Sequence, residues 1–309
     1  MDISIIFSTY KRPRELEKTL ESYLSLRAEN VSWELVLVDN AGDPDTEKVV
    51  NQIRNRLPIR FLVVTKRGKN NALNQAISEA QGKLFLFTDD DVIVEPGWLV
   101  EMWEGSNRWA GQHMFGGKII PRYSDGRKPP FDHPFLRGAF GIADWDFPEG
   151  IYKAEMVWGG NMAIRGDLFR EGWKFNPAIG PDGSRLYVPG SEVDLTNRLE
   201  KAGYQAVYLP RSVVHHQIRD EQLELKWLYD RAFRFGQKMS YDENTANKEN
   251  NTTVTFTFGI PHPLITRWCK DFILYVLSWF SKDKFKKFDR RIKLCKTNGR
   301  IFWYRKAHS

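Results

Sequence analysis

The first hundred residues limit the fold most, because short apolar runs alternate there with segments of helical period. Ile3–Ser8, Glu34–Val38, Ile59–Val64 and Lys83–Phe87 are strand-length runs. Helical patterns open between them near Pro13, Asp45 and Lys69 and end near Leu26, Arg56 and Ala80. Runs that are apolar at consecutive positions suit strands covered on both faces, and strand–helix alternation predicts a parallel sheet. The fold class is therefore α/β, a central, mostly parallel sheet with helices on both faces. Ligands of such sheets bind beyond the carboxyl ends of the strands, so the polar residues after each run are the first candidates for a site.

One of those ends carries Thr88-Asp89-Asp90-Asp91-Val92. Three adjacent carboxylates repel one another, and repulsion pushes protons back onto them. A divalent cation removes that cost, and hard oxygen donors favour Mg²⁺ or Mn²⁺. If the strand continues through the cluster, Asp89 and Asp91 share a side. The competing reading is a solvated acidic turn.

Beyond Trp98 the pattern loosens into Gly, Pro and aromatic residues, and Pro121–Gly141 reads as one long loop. Order returns at Ala154–Ile164, in a helix over Glu192–Ala202 and in a strand over Ala206–Leu209. Ser191 and Asp194 have capping-pair spacing at that helix start. A helical stretch follows from Arg219 through Gln237, then a polar linker over Asn244–Thr253.

The net charge of +7 is confined to one end. Pro261–Ser309 holds 13 Lys/Arg against 3 Asp/Glu, whereas the preceding residues hold 33 basic and 36 acidic side chains, a net of −3. A basic tail on a slightly acidic body argues for an anchoring surface and against nucleic acid. Leu264, Trp268, Phe272, Tyr275, Val276 and Trp279 recur at helical spacing beside Arg267, Lys270 and a run of lysines from Lys282 to Lys287. Phe272–Phe280 is too short to span a bilayer, which takes ~20 apolar residues. Such a helix suits lying on an anionic leaflet; the alternatives are packing on the body or a dimer interface. Met1-Asp2-Ile3-Ser4 runs straight into a strand without a basic flank, and Cys269 and Cys295 have no metal-ligand spacing. The expectation is a cytoplasmic chain with free thiols, peripheral on the cytoplasmic face of the membrane.

Taken in order, Phe7-Ser8-Thr9-Tyr10-Lys11-Arg12-Pro13, Val38-Asp39-Asn40, Asp89-Asp90-Asp91, Gly159-Gly160-Asn161-Met162 and Gly190-Ser191-Glu192-Val193-Asp194-Leu195 resemble a family 2 glycosyltransferase of the GT-A fold. The likeness continues through Arg198-Leu199 and Ala202-Gly203-Tyr204 to Pro210 and His215-His216, covering about residues 3 to 216. It implies a Rossmann-like catalytic domain over 1–220, with a nucleotide-binding half (1–100) and an acceptor-binding half (101–220). The C-terminal helical region over 221–309 would carry the basic membrane-association segment.

The resemblance also implies roles. Thr9, Tyr10 and Arg12 would contact the nucleotide, Asp39 its base, and Gly68 to Asn71 would line the donor pocket. Asp89 and Asp90 would hold the ribose region, and Asp91 the Mg²⁺ or Mn²⁺. His216 falls where many members place a histidine near the metal or diphosphate. Only one of His215 and His216 can face inward on a strand, and His216 is preferred.

Many relatives carry two acidic residues where Ser191-Glu192 stands, so serine replaces the usual first acid. With Asp194 assigned to capping, Glu192 is the candidate general base. Gly160 and Asn161 would line the acceptor edge. Trp158 suits either stacking on a sugar or a buried core position.

The implied activity is inverting transfer of a sugar from a nucleotide-diphosphate donor to a glycan or lipid-linked acceptor, in cell-surface polysaccharide, glycolipid or lipid-linked glycan synthesis. A sugar-phosphate nucleotidyltransferase is the enzymatic alternative, but it usually carries a glycine-rich phosphate loop after the first strand, and Ser8–Pro13 has no glycine. A non-catalytic protein binding anionic lipid or nucleic acid through the tail is the alternative from another class.

Overall fold

The computed structural model describes residues 1–184 and 186–307, which form two compact units. The first comprises Met1–Ser124, Phe140–Gly183 and Ser191–Ile218; the second comprises Asp125–Ala139, Ser184–Gly190 and Arg219–Ser309. Arg185, His308 and Ser309, which the sequence assigns to the middle region and tail, lie outside the described residues.

The first unit is built on a sheet of nine strands: β1 (Ile3–Thr9), β2 (Trp33–Asp39), β3 (Ile59–Val63), β4 (Leu84–Phe87), β5 (Val92–Val94), β6 (Met114–Tyr123), β7 (Gly150–Tyr152), β8 (Met162–Arg165) and β9 (Ala206–Ile218). Their order is β3-β2-β1-β4-β8-β6-β9-β5, and β7 also pairs with β9. The parallel pairings β1–β2, β1–β4, β2–β3 and β6–β9, with β8 antiparallel between β4 and β6, set six strands pointing one way. Only β5, β7 and β8 oppose them.

Both faces of this sheet are buried, which explains the unbroken apolar runs. Ile3, Ile5, Phe7, Leu35 and Leu37 pack with residues of α1 (Pro13–Tyr23), α2 (Pro44–Ile53) and α4 (Trp98–Arg108). Ile6, Val36, Val38, Phe85 and Phe87 pack with α3 (Lys69–Glu79), α6 (Gly166–Arg170) and α7 (Ser191–Lys201). Alternate residues of each strand thus enter opposite cores.

Several sequence expectations are corrected. β9 does not stop at Leu209, because Pro210-Arg211-Ser212 form a bulge at which register jumps from Gly117↔Leu209 to Lys118↔Val213. A bulge tolerates the missing proline N–H. Asn161 fills it: its amide donates to the carbonyls of Lys118 (3.0 Å) and Ser212 (2.9 Å), and its Oδ1 accepts from Trp98 Nε1 (2.8 Å). Fully buried, with its amide group spent on two backbone carbonyls and the Trp98 indole, Asn161 does not face an acceptor.

The segment read as a long loop, Pro121–Gly141, contains the end of β6, a 3₁₀ turn and helix α5 (Pro134–Ala139). Its apolar Phe135, Leu136 and Ala139 are buried.

The second unit adds to α5 the helices α8 (Leu225–Glu249), α9 (His262–Ser278) and α10 (Lys284–Ala307), and a small hairpin of β10 (Phe256–Thr257) and β11 (Ile260–Pro261). The predicted linker over Asn244–Thr253 is mostly the end of α8, held by Arg300 and Tyr304 donating to Glu243. Long-range partners on α10 override a locally polar, loop-like composition. Where α8 and α10 cross, Gly236 and Gly299 bring the backbones together. A Cβ on Gly236 would sit 1.9 Å from the Lys296 carbonyl oxygen, and one on Gly299 1.9 Å from that of Phe233.

Alanine at either glycine would gain about 1 kcal/mol of helix propensity. Forcing a methyl against backbone should cost more, since overpacking alone costs about 1–3 kcal/mol. Gly236→Ala and Gly299→Ala should therefore each lower the Tm by several degrees in thermal unfolding; a raised Tm would mean the helices do not cross this closely.

Candidate active site

The cluster after β4 lies in a turn between β4 and β5, not on a continuing strand, so its members take different partners. Asp90 and Asp91 are nearly buried. Thr9 Oγ1, at the end of β1, donates to Asp90 Oδ2 at 2.7 Å. Arg12 Nη1, from the following loop, reaches Asp90 Oδ1 at 3.2 Å and Asp91 Oδ2 at 3.3 Å. Thr19 of α1 donates to the Asp90 carbonyl at 2.9 Å. Burial pushes the Asp90 carboxyl above the usual range, and Asp91 and Asp89 push the same way against the pull of Arg12 and Thr9.

Asp89 turns to Lys69 at the start of α3, which sits 2.6 Å from Asp89 Oδ1 and 3.0 Å from Glu192 Oε1. Lys69 thus bridges two elements far apart in sequence. Burial alone would depress its ammonium, but the two carboxylates outweigh burial and hold it above its ordinary value, so it stays charged. The sequence reading included Lys69 only within the pocket loop. A signal was present: a lysine in the first turn opposes the helix dipole, and such a conflict calls for a nearby anion.

Glu192 lies in the first turn of α7, close against Gly159, whose Cβ would meet Glu192 Cγ at 2.3 Å. The glycine makes room for the carboxylate side chain. Gly160 is tied to the cluster through its carbonyl, which accepts from Thr88 Oγ1 at 2.9 Å. The expected Ser191–Asp194 capping pair does not form: α7 begins at Ser191 itself, whose Oγ has no hydrogen-bond partner, and Asp194 accepts from Arg198 at 2.9 Å.

The β5–β9 register opposes Val92 to His216 and Ile93 to His215, which sends the two histidines opposite ways. His215 Nε2 meets Glu95 at 3.0 Å. His216 Nδ1 lies 2.6 Å from the Phe140 carbonyl and its Nε2 3.4 Å from Asp91 Oδ1. A carbonyl only accepts, so Nδ1 carries the proton and Nε2 is turned toward Asp91. Burial would lower this imidazole, but Asp91 and the Phe140 carbonyl outweigh it and raise it.

Asp39, nearly buried at the end of β2, accepts from the backbone N–H groups of Ala41 (2.8 Å) and Asp43 (2.6 Å) and so shapes its own loop. Asn40 connects that loop to the next, donating to the carbonyls of Val64 and Lys66 and accepting from Gly68 N–H. Asn71 donates to the Arg67 carbonyl at 2.7 Å, and Tyr10 is exposed after β1. Trp158 is half-buried, edge-on to Trp145 at 6.2 Å, with its indole N–H on the Glu155 carbonyl.

Four carboxylates (Asp89, Asp90, Asp91 and Glu192) here face two permanent cations, Arg12 and Lys69. Among the described residues no group of three or more His, Cys, Asp or Glu could hold a metal alone. Asp91 and His216 do form a mixed pair, and Mg²⁺-type sites commonly take only one or two carboxylates and complete their shell from phosphate and water. The negative surplus and this donor pair fit a divalent cation.

A family model described as "Glycosyl transferase family 2" matches residues 4–170, more than half of the chain. The glucosyl-dolichyl phosphate glucuronosyltransferase of Haloferax volcanii is 23% identical over 75% of this chain and 74% of its own. The succinoglycan biosynthesis protein ExoM of Rhizobium meliloti is 26% identical over 77% of this chain and 74% of its own. Among solved structures, the mannosyltransferase PcManGT from Pyrobaculum calidifontis in complex with GDP-Man and Mn²⁺ aligns with a TM-score of 0.60 at 15% identity, covering 97% of this chain and 87% of that one. TarS 1–349 of S. aureus in complex with UDP-GlcNAc gives 0.55 at 14%, covering 100% and 91%. These likenesses share the GT-A fold. With the match spanning the strand ends that deliver Thr9, Arg12 and the Asp89–Asp91 cluster, the chain belongs to glycosyl transferase family 2 and is a glycosyltransferase.

Proposed function

We propose that this glycosyltransferase moves a sugar, with inversion, from a nucleotide-diphosphate donor to an acceptor hydroxyl, with Glu192 as general base. The observation that carries this reading is the Lys69 bridge between Asp89 and Glu192. Lys69 steadies a carboxylate at the first turn of α7 and joins it to the acidic cluster that faces the donor. Glu192 takes the proton as the acceptor oxygen attacks the anomeric carbon and the nucleotide diphosphate departs. Asp91 and His216 would hold a Mg²⁺ or Mn²⁺ ion, which supplies charge neutralisation to the departing diphosphate.

Thr9, Tyr10, Arg12, Asp39, Gly68, Asn71, Asp89 and Asp90 form the donor side in this reading, and Trp158 and Gly160 the acceptor side. The names of the Haloferax and Rhizobium relatives support a glycan or lipid-linked acceptor.

A membrane-surface role for α9 completes the proposal. No described helix is long and apolar enough to cross a membrane. Phe272, Ile273, Leu277, Trp279 and Phe280 are nevertheless exposed, Phe280 at 85%, and the exposed Lys282, Lys284 and Lys286 follow. Apolar and basic groups exposed together suit an anionic leaflet on the cytoplasmic face.

Asp91→Ala should abolish metal-dependent transfer while leaving thermal unfolding unchanged; full turnover in that variant would remove Asp91 from the metal site. Glu192→Gln should keep donor affinity by calorimetry yet lose turnover by about 10²–10⁴-fold, and unchanged turnover would move the base elsewhere. The protein should co-sediment with phosphatidylserine vesicles, less so as salt rises and less so as Trp279→Ser/Phe280→Ser. Salt-independent pelleting without vesicles would instead mark self-association through this face.

A further inference from the structure

Helix α8 of the second unit carries a group of N–H donors that lack acceptors. Arg231, Arg234 and Lys238 recur at spacings of three and four and so share one face. Among the described residues Arg234 makes no ion pair or hydrogen bond through its guanidinium; its contact is the ring of Tyr187, 5.4 Å from its centre. Its Nε is buried without a partner.

Arg231 Nε is buried and unpartnered as well, and its Nη1 reaches only the Tyr187 hydroxyl, at 3.4 Å. The rings of Phe235 and Trp227 flank that guanidinium at 5.2 and 6.0 Å. One turn beyond Arg234, Gln237 is 1% exposed and its Nε2 also lacks a partner. Over the same face, Gly190 leaves room for Lys238, whose Cε would lie 2.4 Å from a Cβ there. Lys238 pairs with Asp242, and Asp230 is near enough to Arg234 to offset part of its charge.

Burying a donor without an acceptor is costly, and more so for a charged group. Burial lowers the Arg234 guanidinium from its ordinary value and the neighbouring Arg231 adds to that, against the opposing pull of Tyr187 and Asp230. Aromatic rings stabilise the faces of guanidinium groups but leave the in-plane N–H groups unanswered. The unmet Arg231 Nε, Arg234 Nε and Gln237 Nε2 are all donors, and what they lack is one compact anion with several oxygens.

We propose that Arg231 and Arg234, with Tyr187 and Gln237, form a subsite for a phosphate group. The planar guanidinium fork matches phosphate oxygens in pairs, which a point-charge ammonium does not. The subsite belongs to the second unit and goes beyond the assignment of Glu192 and the acidic cluster. Its occupant is either a lipid phosphate or a free phosphate or diphosphate.

The test is calorimetric titration of the full chain with inorganic pyrophosphate, and with a short polyprenyl phosphate against the matching polyprenol in micelles. Measurements are made without metal or donor sugar, so the outcome does not depend on the proposed chemistry at Glu192. At least one phosphate probe should bind, with the polyprenol not binding, and Arg231→Gln/Arg234→Gln should weaken it about 10- to 100-fold, the usual loss for charge-assisted pairs. Arg234→Lys should recover only part of the affinity. A lipid source is marked by binding of polyprenyl phosphate alone, and a free phosphate source by binding of pyrophosphate. The unliganded Arg234→Gln variant should melt no lower than the parent, since it removes an unpaired buried charge. Equal affinity in parent and double variant, no binding of either phosphate probe, or a Tm lowered by several degrees in Arg234→Gln would overturn the proposal.

Discussion

Carboxylates crowded at the ends of buried strands are the constraint from which the catalytic unit follows. Asp89, Asp90 and Asp91 occupy one short turn, and two of them are almost shielded from water. Their repulsion must be offset locally, and cations are drawn from other elements: Arg12 from the loop after β1 and Lys69 from the start of α3. Glu192 joins through the same lysine. Four separate segments are thereby cross-linked by charge, and the negative surplus left over suits a divalent cation.

The sheet makes that crowding possible. Strands apolar at consecutive positions must be covered on both faces, so their ends become the exit points for polar side chains. Thr9, Asp39 and the acidic turn all lie at such ends. The long strand β9 also carries His216 toward Asp91, and the bulge that keeps its register is held by the buried amide of Asn161.

Motif and orientation separate here. The acidic turn was legible because three carboxylates after an apolar run already call for a cation, whereas Thr9 and Arg12 were legible only through the resemblance to family 2 glycosyltransferases. The role of Asn161 was not legible, since an amide after two glycines suits an acceptor edge as well as a bulge. The loop-like reading of Pro121–Gly141 and of Asn244–Thr253 failed for a related reason. Those segments are ordered by partners distant in sequence, such as Asp289 on His133 and, just ahead of Asn244, Arg300 and Tyr304 on Glu243, and local composition carries no record of them.

By itself, the sequence determined the α/β class, the strand ends where chemistry gathers and the basic character of the C-terminal helices, because these depend on periodicity and charge along the chain. Tertiary structure alone decided which histidine turns inward, that Lys69 joins Asp89 to Glu192, that the Ser191 hydroxyl takes no hydrogen bond at its helix start, and that the Nε groups of two arginines on α8 lack an acceptor among the described residues. Each of those outcomes depends on distances between residues tens to more than a hundred positions apart, or on one strand's register against another. Electrostatic and hydrogen-bond energies are steep functions of such distances, and only the folded chain defines them.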